Sequence, residues 1–236
     1  MNPLARRTVI PAVVVLIVVS GLLAAGCGAE KKSSPPKKQA QKCAKAPSRE
    51  PEQLDGPPPA SAVDANAIYT ATLTTSEGDM EIKLDPKVAP NAVANFVYLA
   101  RKGFYKDVAF HRIIKDFMVQ TGDPSGTGTG GPGYTIKGDA VKSPYKRGTL
   151  AMANTGSIDS GGSQFFIIHQ DYDLPPNYSI FGQVTTGLDT LDAIAETEVT
   201  AADGGEPSSP TCAVVLKNVT IDGPELRSKQ QPTGKW

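Results

Sequence analysis

The sequence predicts a mainly β fold, a closed antiparallel barrel of eight strands with two α-helices covering its ends; an open sandwich is the alternative. Three observations carry this prediction: about eight short runs of strand character, two segments whose apolar residues recur at helical spacing, and Gly-rich loops between them. All of them fall between residues 66 and 223. A chain of 236 residues with 39% hydrophobic content is long enough for one well-packed domain with accessories and too short for two large ones.

The first elements are a hairpin and a helix. In "AIYTATLTTSEGDMEIKLD" two runs flank Ser76-Glu77-Gly78-Asp79, and Met80, Ile82 and Leu84 alternate with Glu81 and Lys83. "APNAVANFVYLARKGFY" switches to the helical period. Pro90 suits a first-turn position, Val93, Phe96, Val97 and Ala100 share a face, and Gly103 supplies a left-handed stop. Further strands are expected at "VAFHRII", "FMVQ", "TLAMAN", "SQFFIIH", "YSIFGQV" and "AVVLKNVTI". A second helix is expected at "GLDTLDAIAE", with Leu188, Leu191, Ile194 and Ala195 on one side.

Residues 1–26 read as an export signal, with Arg6 and Arg7 ahead of an apolar run from about Val9 to Leu23. "LAAGC", residues 23–27, resembles the lipobox of bacterial lipoproteins, which implies lipidation of Cys27 and attachment to the outside of a cell membrane. An uncleaved anchor helix is the plainer alternative, since the run is only slightly short of the roughly 20 residues a span needs. Residues 27–65 are rich in Pro, Lys, Ser and Ala and poor in large apolar side chains, so they read as a disordered tether. A flexible coil of that length reaches roughly 35 Å. Residues 224–236 read as a flexible tail.

Lys plus Arg equals Asp plus Glu, so no basic footprint for nucleic acid exists. Two His and three Cys without paired ligand spacing give no support to a zinc site. "GGSQFF" lacks the G-x-S-x-G elbow of a serine hydrolase, and "GTGTGGPGY", residues 126–134, lacks the Lys-Ser/Thr ending of a phosphate loop. It reads as a surface excursion. No metal and no cofactor is expected.

What remains is a set of polar residues inside strands. "FHRIIKDFMVQTGDP", residues 110–124, embeds His111, Arg112 and Gln120 among apolar neighbours, although charged residues are rarely buried without a partner. Period-two alternation puts Gln164 and Phe166 on one face and Phe165 on the other. One Arg, several amides and several aromatics suit a shallow, mostly apolar groove, or satisfied polar groups at strand ends.

In order and spacing, "FHRIIKDFMVQTGDP", "GTGTGGPGY", "GTLAMANTG", "GSQFFI" and "FGQV" resemble the cyclophilin family of peptidyl-prolyl cis-trans isomerases, over residues 66–223. The resemblance implies an eight-stranded barrel capped by two helices, with a substrate groove on its outer face. It makes Arg112 the catalytic guanidinium and Phe117, Met118, Phe166 and Leu174 the pocket for a proline ring. It gives Gln120, Ala153, Asn154, Thr155 and Gln164 to the substrate backbone and sets His111 at the border. "IIHQDYDLPPNY" looks like a loop variant of actinobacterial-type members: Asp173 or a neighbour replaces a Trp, and Tyr178 stands where a His often lies. These departures weigh against strong cyclosporin binding. Lys115 and Asp116 replace a Pro-Gly at a turn tip, where little effect is expected.

The expected partners are therefore proline-containing segments of unfolded or exported proteins, met by a lipid-anchored monomer. The expected activity is isomerisation of X–Pro bonds in exported chains; the rival is a proline-binding chaperone or assembly module without turnover. An inert structural lipoprotein is a third reading. With Cys27 lipidated, Cys43 and Cys212 form an even pair in an oxidising compartment, and a disulfide between them would pin the tether to the last strand.

Overall fold

The computed structural model describes residues 43–50, 53–201 and 205–227. The signal at 1–26, Cys27, the first part of the expected tether and the end of the C-terminal tail lie outside the described residues. Among the described residues no helix is long and apolar enough to cross a membrane.

The hairpin forms as its alternation demands. β1 (Tyr69–Thr75) and β2 (Asp79–Leu84) pair antiparallel, and Met80, Ile82 and Leu84 point into the core while Glu81 and Lys83 stay exposed. α1 (Pro90–Arg101) follows, with Ala92, Val93, Phe96, Val97, Leu99 and Ala100 buried, and Gly103 just past its end has φ 73°.

The remaining strands of the main sheet are β3 (Val108–Ala109), β4 (Arg112–Ile114), β5 (Met118–Thr121), β6 (Thr149–Met152), β7 (Phe165–Ile168), β8 (Ile180–Thr186) and β11 (Val215–Asp222). Their order is β3-β11-β1-β2-β8-β6-β7-β5-β4, with each pairing antiparallel. The sheet's two end strands, β3 and β4, are consecutive in the chain and separated only by Phe110 and His111. Counted as one interrupted strand they bring the total to eight, in one curled antiparallel sheet. Thr121 Oγ1 donates to the Ala109 carbonyl at 2.9 Å across the same junction.

Inside the curl, Phe96 of α1 packs on Tyr105, Phe165 and Phe181, with ring centroids 5.2, 5.4 and 5.2 Å away. α2 (Leu188–Ala195) closes another side with Leu191, Ile194 and Ala195, whereas Leu188, expected on that face, is exposed at the first turn. A small second sheet, β9 (Val199–Ala201) with β10 (Pro207–Pro210), was not expected. Its strands are short, none of their residues is fully buried, and β10 begins and ends on Pro, so they show no alternation.

The tether expectation fails over the described part of 43–65. Cys43 is disulfide-bonded to Cys212, and Ala213 N–H donates to the Ala44 carbonyl. Arg49 N–H bonds the Pro124 carbonyl and Leu54 N–H the Pro132 carbonyl, both at 3.0 Å. The Arg49 guanidinium lies over the Phe104 ring and bonds the Phe104 carbonyl. Ala62 and Val63 are buried and Leu54 packs against the main core. A composition too polar to fold alone is ordered here as a strap on a surface that is already folded.

The start of α1 is capped from a distance. Ala89 at the N-cap offers no side-chain acceptor, and the Asp139 carboxylate fills the role, accepting from Ala92 N–H at 2.9 Å, Asn91 N–H at 3.2 Å and the Asn91 amide at 2.9 Å. Replacing Asp139 by Ala is expected to lower stability by about 1–2 kcal/mol. The check is a shift of the urea midpoint at constant m-value, and an unchanged midpoint would show that water substitutes for the carboxylate.

Candidate active site

The site is built on the outer face of the sheet, where strand register aligns it. Arg112 pairs with Gln120, Gln120 with Phe166, and Phe166 with Ala151, so four neighbouring strands contribute one lateral row. One step along, Ile114, Met118 and Ile168 form a second row. Intervening residues such as Ile113, Val119, Phe165 and Ile167 point into the core. The outer rows join Tyr145 and Ile180 in a separate apolar cluster. Both faces of this patch are therefore covered, which is why β7 is buried throughout.

On this face lies a small pocket of about 130 Å³. Phe117, Met118 and Phe166 form its floor and sides, Leu174 and Tyr178 close it from the loop before β8, and Arg112 with Gln120, Ala153 and Asn154 makes the polar rim. None of the ion pairs among the described residues includes Arg112, so a half-buried guanidinium faces an apolar pocket with no carboxylate to hold it. Thr155 and Gln164, grouped with these residues by the sequence, stand instead at an adjoining cavity of about 660 Å³ that shares Gln120, Ala153 and Asn154 with the pocket. His111 lines neither; its ring sits beside the Gly-rich loop, where a Cβ on Gly128 would lie 3.4 Å from it.

The amides are committed to holding the wall. Gln120 Nε2 donates to Gln164 Oε1 at 2.9 Å, and Gln164 Nε2 donates to the carbonyls of Gly128 and Gly130, each at 2.9 Å. The far side of the same loop converges on one carboxylate. Asp123, fully buried, accepts from Ser125 N–H (2.8 Å), Ser125 Oγ (2.7 Å), Gly128 N–H (2.7 Å) and Gly130 N–H (3.0 Å). Burial pushes its pKa up, but the bonds from Ser125, Gly130 and Gly128 outweigh that and hold it below the ordinary carboxylate range. Just before it, Gly122 has φ 94° and a Cβ there would fall 2.4 Å from the Ser163 carbonyl, so this turn accepts only glycine.

Several residues that sequence reasoning passed over support the pocket. Tyr145 OH bonds the Tyr178 and Pro175 carbonyls at 3.1 and 3.2 Å and anchors the loop that carries Leu174 and Tyr178. Asn154 Nδ2 donates to the Asn177 carbonyl of that loop at 2.7 Å. Tyr178 meets Phe166 edge to face at 5.4 Å, and Tyr172 lies against Phe117 at 4.2 Å. The buried His169 accepts from Asp116 N–H through Nδ1 at 2.9 Å, which makes Nε2 the donor to Asp192 at 3.1 Å. The turn tip is thus tied down: Asp116, at φ 63°, is the residue before Phe117.

Burial is the largest influence on the His111 imidazole and lowers its pKa; Asp123 pulls it up and Arg112 pushes it further down. Among the described residues neither ring nitrogen has a hydrogen-bond partner. The folded protein therefore binds this proton less readily than the unfolded chain, whose His titrates near 6.5. Stability contributed by keeping the ring neutral is intact above that value, and it falls as pH drops through and below it. An NMR titration of the His111 ring is expected to give a midpoint below 6.5. A midpoint at or above it would mean that Asp123, not burial, governs the ring.

With this geometry in hand, the comparisons with known proteins are specific. Residues 70–221 match the profile of the family described as cyclophilin type peptidyl-prolyl cis-trans isomerase/CLD. A peptidyl-prolyl cis-trans isomerase of Helicobacter pylori is 45% identical over 134 residues, covering 55% of this chain and 82% of that protein. Isomerase B of Bacillus subtilis is 50% identical over 113 residues, covering 47% and 78% of the two chains. The probable isomerase B of Mycobacterium tuberculosis is 38% identical over 173 residues, 66% of this chain but only 55% of that longer protein. A crystal structure of a Cryptosporidium parvum cyclophilin type isomerase superposes with a TM-score of 0.61 at 31% identity, covering 66% of this chain and 98% of that one. A second, in the presence of the dipeptide Ala-Pro, gives 0.59 at 30% identity, with 67% and 99% covered. The chain belongs to the family of cyclophilin-type peptidyl-prolyl cis-trans isomerases.

Proposed function

We propose that this chain isomerises X–Pro bonds in exported proteins, with the proline ring seated between Phe117, Met118, Phe166 and Leu174 and with Arg112 as the catalytic residue. The observation that carries the reading is the unpaired guanidinium at the rim of an apolar pocket of about 130 Å³. A proline-containing ligand is in keeping with the Ala-Pro dipeptide in the related structure. The export-signal features of residues 1–26 and the lipobox-like "LAAGC" support work outside the cytoplasm, held to a membrane through Cys27. The Cys43–Cys212 disulfide agrees with an oxidising compartment.

The chemistry needs little. Amide resonance sets a rotation barrier of ~18–20 kcal/mol. Twisting the bond breaks that resonance, and the proline nitrogen becomes pyramidal with a lone pair. A guanidinium N–H donates to that lone pair far better than to the planar ground-state nitrogen, so the bond to Arg112 strengthens as the barrier is climbed. The apolar walls favour the less polar twisted amide. At the rim, the Gln120 amide oxygen, which accepts no bond among the described residues, holds the segment on one side while the other side turns.

The magnitudes are sufficient. Uncatalysed isomerisation takes ~10–100 s, so turnover at ~10²–10³ s⁻¹ needs a factor near 10⁴, about 5–6 kcal/mol. One charge-assisted hydrogen bond supplies ~1.5–3 kcal/mol, and walls and anchoring supply the remainder.

The full chain is expected to accelerate cis-to-trans relaxation of an Ala-Pro test peptide. Arg112→Ala is expected to lose at least tenfold in kcat/KM with its thermal unfolding unchanged, as removal of one charge-assisted bond of ~1.5–3 kcal/mol requires. A folded wild-type chain that binds the peptide without accelerating it would replace the enzyme by a proline-binding module.

A further inference from the structure

We infer that Gln53, carried by the strap that precedes the matched domain, is a specificity-determining residue of this site, selecting an uncharged, amide-bearing side chain next to the substrate's X–Pro pair. The inference rests on the proline-pocket reading above and extends it to a neighbouring substrate residue.

Two depressions share a wall. The cavity of about 660 Å³ meets the proline pocket along Gln120, Ala153 and Asn154. An extended peptide advances at most ~3.3–3.6 Å per residue, so a segment with its proline in the pocket lays the next one or two side chains over the cavity. The side of the cavity away from the strands is the Gly-rich loop, and among the described strap residues Gln53 lines it.

The placement of Gln53 is fixed from both sides. Leu54 N–H bonds the Pro132 carbonyl at 3.0 Å and Arg49 N–H bonds the Pro124 carbonyl at 3.0 Å, so the strap is fastened to both ends of the loop. The Gln53 side chain lies directly over Gly133, where a Cβ would come within 2.1 Å of Oε1. Residue 53 lies before the stretch 70–221 that matches the family.

The lining chemistry decides what fits. Among the described residues no charged side chain lines the cavity; backbone groups of residues 128–133, hydroxyls such as Thr129 and Thr155, and side-chain amides do. A charged substrate side chain would give up water there without gaining a counter-ion, which is costly. Gln164 and Asn154 already use their amides, on Gly128, Gly130 and Gln120 in one case and on Asn177 and Gly156 in the other. Gln53 carries both a donor and an acceptor, the complement of another amide. A substrate Gln or Asn can pair with it in both senses, whereas Ala leaves it to water and Glu meets only half of it.

The test uses the full chain and Ala-Pro peptides in which Gln, Ala or Glu is placed singly at positions within two residues of the pair, on either side. Relaxation kinetics give kcat/KM and competition binding gives Kd for each. At one position the wild type is expected to favour Gln over Ala and over Glu by about 2- to 10-fold, the worth of one neutral hydrogen bond. In Gln53→Ala the Gln-to-Ala ratio should collapse toward one. In Gln53→Lys the preference should pass to Glu, which a merely structural role for residue 53 would not produce. Equal treatment of all three peptides by the wild type, or ratios that survive both substitutions, would overturn the inference. Binding ratios that follow it in a chain that accelerates no peptide would sink the isomerase reading alone.

Discussion

The site depends on strand register. Arg112, Gln120, Phe166 and Ala151 come from four strands and stand in one lateral row only because β4, β5, β7 and β6 pair as they do. A slip by one residue in β5 would send Gln120 and Met118 into the core and bring Val119 out, since the side-chain period along a strand is two. The two faces enforce the register together. Val119 and Ile167 belong to the main core, while Met118, Phe166 and Ile168 belong to the outer cluster, so no slipped pairing satisfies both. A central wall apolar on both sides thereby fixes where a guanidinium stands.

The second constraint is the fully buried Asp123 carboxylate. A loop with Gly at 126, 128, 130, 131 and 133 has every entropic reason to be mobile. Asp123 gathers the N–H groups of Ser125, Gly128 and Gly130 at 2.8, 2.7 and 3.0 Å, while Gln164 takes the carbonyls of Gly128 and Gly130 from the opposite side. Glycine at 130 is part of this, since a Cβ there would lie 2.1 Å from the carboxylate. Through Gln164 and Gln120 the loop is hydrogen-bonded to the row that carries Arg112, so the cavity wall and β4 form one network. Such networks specify a single arrangement when every member is satisfied.

Much of this was legible in the chain. The alternation in β1 and β2, the helical period from Pro90 and the order of the strand motifs lead to a barrel-like sheet with two helices. The residues that line the small pocket beside Arg112 all stand in the stretches quoted for the family resemblance, because a motif fixes identity and spacing together. Tyr145 and Tyr172 were missed: each lies in a Pro- and Lys- or Asp-containing loop with no periodicity, and their value comes from the loop they hold across the fold. The strap escaped for a related reason. Leu54 and Val63 are the only large apolar residues between 28 and 65, too few to signal order locally. Its order is borrowed from partners far away in sequence, such as Phe104, Pro124 and Pro132.

The disulfide alone does not explain the strap's placement. Cys43 and Cys212 are 169 residues apart, and on the chain-entropy account such a cross-link removes roughly 5 kcal/mol of freedom from the unfolded chain. That term grows only logarithmically with separation, so it is insensitive to where the strap then runs. Ten residues beyond the bond, an unrestrained chain still spans up to ~35 Å. The placement of residue 53 comes instead from the backbone bonds at Arg49 and Leu54 and from the Arg49 guanidinium on Phe104. The disulfide raises the local concentration of the strap at the domain surface, and those weak contacts, each worth about 1 kcal/mol net, then suffice to order it. A segment of linker composition thus becomes a wall of the site by being cross-linked beside a loop whose carbonyls at 124 and 132 are left facing outward to receive it.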